Sequence, residues 1–174
     1  MKSTPNPDLE FSRTLIVARV PRKGSHEVFD AEPKECEALA KRFRLPKLYS
    51  LSVHLLAMPW RGGGLKVTGD IIVDFDQVSV ISLETFRSQP RIKIERYFMP
   101  EKMIIDASED DVDPIENGEI DLGELVAEAV ALELEPYPRK PGEAYTDGDE
   151  AAANVIELKP SPFAKLQKIV KDGE

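Results

Sequence analysis

"LYSLSVHLLAM" (48–58) decides the class of fold. Leu51, Val53 and Leu55 alternate with Ser50, Ser52 and His54, and a period of two sends the two sets to opposite faces of a strand. A strand that buries one face and wets the other belongs in an antiparallel sheet. "WRGGG" (60–64) supplies a tight turn and "LKVTGDIIVDF" (65–75) resumes the β-branched content, so the stretch reads as a hairpin. These glycines lead into neither Gly-Lys-Ser/Thr nor a helix, which argues against a phosphate-cradling loop.

Further strand-like runs follow in "QVSVISLETF" (77–86) and "RIKIERYFM" (91–99), and "FSRTLIVARV" (11–20), closed by Pro21 and Gly24, makes about five. "EPKECEALAKRFRL" (32–45) predicts a helix from Pro33, with Cys36, Leu39, Ala40 and Phe43 on one stripe and Pro46 as its stop. The expected fold is α+β: an antiparallel sheet, as a meander or partly closed barrel, packed with two or three helices.

"GEIDLGELVAEAVALELEPYPRKPG" (118–142) carries the strongest helix signal. Asp121 and Glu124 have capping-box spacing, and Ile120 and Leu125 form a hydrophobic staple. Leu122, Leu125, Val126, Ala129 and Val130 share a face, whereas Glu133 projects about 20° from Leu122, into the middle of that face. Either Glu133 is aimed at a basic group within the fold or the helix has unwound by there; because Pro136 pushes Glu135 toward extended geometry and "LELEP" (132–136) alternates like a strand, the helix is expected to fade near Leu132. The chain then leaves extended through Pro136, Pro138 and Pro141, which stiffen it and present Tyr137, Arg139 and Lys140. Around this core the reading places a flexible terminus (1–10), one α+β domain (11–142) containing an acidic loop or linker (106–119), a mobile linker (143–160) and a short amphipathic helix (161–174) bearing Phe163, Leu166, Ile169 and Val170.

One cysteine and two histidines among 174 residues leave no internal disulfide and no cysteine-based zinc cluster, and neither cofactor nor metal is implied. Cys36 falls on an apolar stripe and reads as packing. His26 and His54 lack the spaced partner that a base needs. No apolar run approaches the roughly 18–20 residues that span a bilayer, and "MKSTPNPDLEFSRTL" lacks a secretory core; a cytoplasmic location is expected. The net charge of −9 is unevenly spread, with 17 Lys plus Arg against 13 Asp plus Glu in residues 1–102 and 6 against 19 in residues 103–174. Basic groups cluster as Arg22 and Lys23, as Lys41, Arg42, Arg44 and Lys47, and as Arg139 and Lys140 beside Tyr137. Such groups suit RNA phosphates with an aromatic for stacking, or are ordinary solvated charges.

"DFDQVSVISLETF" (74–86), the 118–142 segment and "PSPFAKL" (160–166), in this order and spacing, resemble the YceD family, the large ribosomal RNA subunit accumulation proteins, with the "PYPRKPG" ending nearest its alphaproteobacterial branch. The resemblance implies a non-enzymatic role in the synthesis, processing or stability of 23S rRNA during large-subunit biogenesis. The partner would be precursor rRNA or a large-subunit ribosomal protein, with no membrane and no small-molecule substrate. It singles out Glu119, Asp121, Glu133, Pro136, Tyr137, Pro138 and Arg139, with Asp121 as cap and Tyr137 and Arg139 as contacts. Many members of the family carry a Cys-x-x-Cys in the strand read here as "QVSVISLETF", and those nearest this chain a single cysteine where it has Ser79; with neither present, a metal or redox role for those cysteines is not expected of this chain. The other reading is an adaptor whose acidic segment engages basic ribosomal proteins without touching RNA.

Overall fold

The computed structural model of the chain describes residues 10–103 and 112–143. Two compact units divide the chain, 1–141 and 142–174, and the first holds every described residue except Gly142 and Glu143. The expected terminus, linker and C-terminal helix with Phe163 lie outside the described residues, apart from Glu10 and Glu143.

Strands β3 (Lys47–Trp60) and β4 (Gly64–Val78) form the hairpin read from the alternation, paired up to Trp60 opposite Gly64. Strand β2 (Ser25–Asp30) adds to β3 and β6 (Arg91–Pro100) to the first half of β4, while β5 (Thr85–Ser88) pairs with the far end of β4. A last strand, β7 (Val112–Ile115), lies parallel to β6, giving the order β2-β3-β4-β6-β7. Short β1 (Thr14–Ile16) and β8 (Glu119–Asp121) make a separate two-stranded sheet. With helices α1 (Pro33–Phe43) and α2 (Leu122–Glu133), the fold is α+β. Its main sheet is open, with β2 and β7 at the edges.

The core lies between the helices and one face of this sheet. Leu51, Val53, Leu55 and Ala57 of β3 and Leu65, Val67, Ile71, Val73 and Phe75 of β4 meet Leu39 of α1, Leu122, Val126 and Val130 of α2, and Phe11. Each large side chain buried there contributes about 1.5–3 kcal/mol. A register shift between Leu48 and Ser50 lets both Leu48 and Leu51 face inward although they are an odd number of residues apart.

Several elements differ from the sequence reading. β2 was not expected: adjacent Val28 and Phe29 blur its period, yet Val28 is exposed and Phe29 packs against the core. The run 11–20 yields only the three residues of β1, because β8 offers three partners, and Val17–Arg19 turns away as a 3-10 helix. "QVSVISLETF" is not one strand. It breaks after Val78 because the buried Ser79 hydroxyl accepts from the amides of Ile81 (3.1 Å) and Ser82 (3.4 Å) and folds a turn, with Leu83 left-handed at φ 59°. The described part of the supposed acidic linker, from residue 112 on, forms β7, a turn and the start of β8. The turn is made by Asn117 and Gly118, both at positive φ, and is closed by the Glu119 amide on the Glu116 carbonyl at 2.8 Å.

Candidate functional site

Helix α2 begins because Asp121 caps it, its carboxylate accepting from the amides of Gly123 at 2.8 Å and Glu124 at 3.1 Å. The same carboxylate takes the Arg13 amide at 2.9 Å and the hydroxyl of buried Ser12. Gly123 is needed beside it, since a Cβ there would lie 2.4 Å from the Phe11 carbonyl oxygen. The expected capping box is only half made. Glu124 does not reach back to Asp121; it binds Arg42 through two hydrogen bonds of 2.8 and 2.6 Å, and a forked guanidinium is a stronger partner than one amide.

The reciprocal box belongs to α1, where Glu35 accepts from the Glu32 amide at 2.7 Å. Glu35 also takes Arg13 in two 2.8 Å bonds, and the guanidinium lies 4.8 Å over the Phe11 ring. Burial pushes the Glu35 carboxyl up, but the Arg13 guanidinium and the Glu32 amide outweigh it and hold the group below its ordinary value.

At its other end α2 stays helical through Glu133, one residue past the expected fade, and Leu134 turns extended. The wheel aims Glu133 at the core, but the carboxylate is exposed along a cavity of about 340 Å³ shared with Phe75, Gln77 and Ile92. The chain then doubles back onto the Ser79 turn. Val80 donates its amide to the Pro138 carbonyl at 2.9 Å, and Lys140 pairs with Glu84 at 2.8 Å. Ser79 is thus the fully buried keystone of the turn on which the hook rests.

This docking sets two prolines of the hook beside one of the three basic clusters. Lys41, Arg42 and Arg44 at the end of α1 line a groove of about 890 Å³ with Pro136 and Pro138. Tyr137 stands 73% exposed above the junction, and Arg139 is exposed. Arg42 contributes less than its sequence suggests, because Glu124, with Glu10 at 3.5 Å, answers its charge. Lys140 is likewise tied to Glu84. Arg22 and Lys23 do not line this groove; they sit in the Pro21–Gly24 turn, whose Gly24 packs against Ala57 and Met58. Neither Val80 (46% exposed) nor Leu83 (76%) was singled out, and both are carried outward beside the hook by the serine turn.

Elsewhere, Cys36 is buried, and burial pushes its thiol up, away from the nucleophilic thiolate. Among the described residues no group of three or more His, Cys, Asp and Glu is placed to hold a metal ion, and no helix is long and apolar enough to cross a membrane.

No curated protein and no solved structure matches the chain. The family model described as "Large ribosomal RNA subunit accumulation protein YceD" matches residues 67–170, a span that takes in most of β4, the Ser79 turn, α2 and the hook. Since the match covers more than half of the 174 residues, the chain belongs to the YceD family.

Proposed function

We propose that this chain serves large-subunit ribosomal RNA accumulation by binding and not by catalysis, working in the cytoplasm, and that the groove beyond α2 takes a single-stranded segment of 23S precursor rRNA. A role in the accumulation of large-subunit rRNA comes with membership of the family. The binding mode is supported by one observation: Lys41 and Arg44 line a groove with Pro136 and Pro138, while Tyr137 and Arg139 of the same hook are exposed. Cations for phosphates and a ring for a base are what single-stranded RNA requires. Three prolines hold the hook near its docked shape, so little ordering entropy opposes binding.

The purified protein with Tyr137→Ala or Arg139→Glu should lose about 1–3 kcal/mol of affinity for 23S precursor fragments. Arg139→Glu should also reduce the salt dependence of binding. Both variants should melt with the wild type; undiminished binding in both would refute the assignment of the groove. A second reading has its own observation. Glu116, Glu119 and Glu128 are exposed along a cavity of about 360 Å³ beside β8 and α2, a surface suited to a basic ribosomal protein. Retention of such a protein, with no specific retention of rRNA at low salt, would put that adaptor role in place of RNA binding.

A further inference from the structure

The face of the main sheet that meets the helices runs on past the end of α2. In β4, Ile71, Val73 and Phe75 point into the core, and by the same period of two Gln77 takes that side as well. Ser88 of β5 stands opposite Phe75, and the Gln77 amide donates to its hydroxyl at 2.7 Å. Helix α2 stops at Glu133, and the cavity of about 340 Å³ lies between its last turn and this polar pair. The floor is apolar and buried, made by Phe75, Ile92 and Val130. No Lys or Arg lines it. The Glu133 carboxylate has no hydrogen-bond or ion-pair partner among the described residues, and it stands at the negative pole of its helix, so the helix gains nothing from its charge. The groove beyond α2 adjoins this cavity, since Gln77, Leu134 and Glu135 line both.

We infer, on the reading that the groove holds single-stranded RNA, that the cavity receives one unpaired guanine from that strand and that Glu133 selects it. Guanine alone among the four bases presents two neighbouring N–H donors, N1 and N2, on its pairing edge, and a carboxylate accepts both at once. Uracil sets its single N–H between two carbonyls, and adenine and cytosine put a ring acceptor beside their amino group; each of these acceptors is repelled by the carboxylate. The O6 and N7 of guanine are left for the Ser88 hydroxyl and the second N–H of the Gln77 amide. The charges of Glu133 and Glu135 keep phosphates out, so the backbone stays with Lys41 and Arg44 in the groove and only a base enters. Those two cations also disfavour the approach of a basic protein side chain.

The full chain is titrated at low salt into end-labelled oligonucleotides of about nine residues and followed by fluorescence anisotropy. An oligouridylate with one central guanosine should bind at least about fivefold more tightly than the plain oligouridylate. Central adenosine, which stacks but lacks the donor pair, should fall well short of this. Central inosine, which keeps the N1 donor and lacks the N2 amino group, should lose most of the gain. Glu133→Gln should bring the ratio of guanosine to uridine affinity close to one, whereas Tyr137→Ala should weaken every oligonucleotide and keep the ratio. The inosine comparison needs no substitution in the protein, so it decides the matter even if a variant fails to fold. Binding without a guanosine preference, adenosine or inosine matching guanosine, or a preference that survives Glu133→Gln overturns the inference and leaves the groove standing. Equal affinities, with an arginine-rich peptide held by the wild type and released by Glu133→Gln, would hand the cavity to a basic protein instead. No binding of any oligonucleotide overturns the groove reading and takes the cavity with it.

Discussion

At the N-terminal end of α2, Asp121 gathers hydrogen bonds from the amides of Gly123, Glu124 and Arg13 and from the Ser12 hydroxyl, in a place where Ser12 and Gly123 are buried. Beyond the C-terminal end, the hook meets the body through the Val80 to Pro138 backbone bond and the exposed Lys140 to Glu84 pair. The first end is over-determined by buried polar contacts, and losing one partner strands the others without water. The second is held by a partner that solvent competes with, and it keeps Tyr137 in the open. One helix thus joins an anchor to a presenting arm.

That contrast can be broken at either end. Asp121→Ala removes the cap and the carboxylate to which the Ser12 hydroxyl and the Arg13 amide donate, so chemical denaturation should show a loss of about 3 kcal/mol. Asp121→Asn, which can still cap, should recover much of it. Gly123→Ala pushes a Cβ toward the Phe11 backbone and should cost about 2 kcal/mol by overpacking, with RNA binding unaltered once the protein is folded.

A pH scan sharpens the comparison. The Glu35 carboxyl is held low by Arg13 and the Glu32 amide against the opposing effect of burial. Its contribution is therefore complete above the unfolded value of about 4.3 and is lost as pH falls through the lower folded value. Melting temperature should hold from about pH 7 to 5 and decline below about 4, less steeply in Arg13→Met; an identical decline in that variant would remove Glu35 from the account. Smallest of all, Lys140→Ala should move stability by less than about 0.5 kcal/mol, while amide exchange at Val80 speeds up as the hook loosens. A cost approaching that of Asp121→Ala would mean that the hook is part of the anchor.

The readable parts of the molecule were those settled by neighbours in sequence. The alternation from Leu51 to Leu55, the glycine turn after Trp60, the α1 stripe of Cys36, Leu39 and Ala40 and the Asp121 cap each rest on contacts within a few residues, and the structure contains them. Glu124 was misassigned because local spacing offers the Asp121 amide as its partner, whereas the chosen partner, Arg42, is 82 residues away. β2 was missed because its inward residue shows itself only when β3 supplies a core to face. The Asn117–Gly118 turn left a legible signal within an acidic stretch that masked it.

The sequence by itself determined an α+β chain with a capped helix that runs into a stiff basic hook, because periodicity, caps and prolines act over one or two turns of backbone. Only the tertiary structure decided that Arg42 and Lys140 are neutralised by Glu124 and Glu84. It also decided that the hook rests on the Ser79 turn, and that the Pro21–Gly24 turn bearing Arg22 and Lys23 packs its glycine at Ala57 and Met58. Ion pairing and convergence depend on which distant strands become neighbours, and that is fixed by burying one face of the sheet as a whole, not by any segment's own pattern.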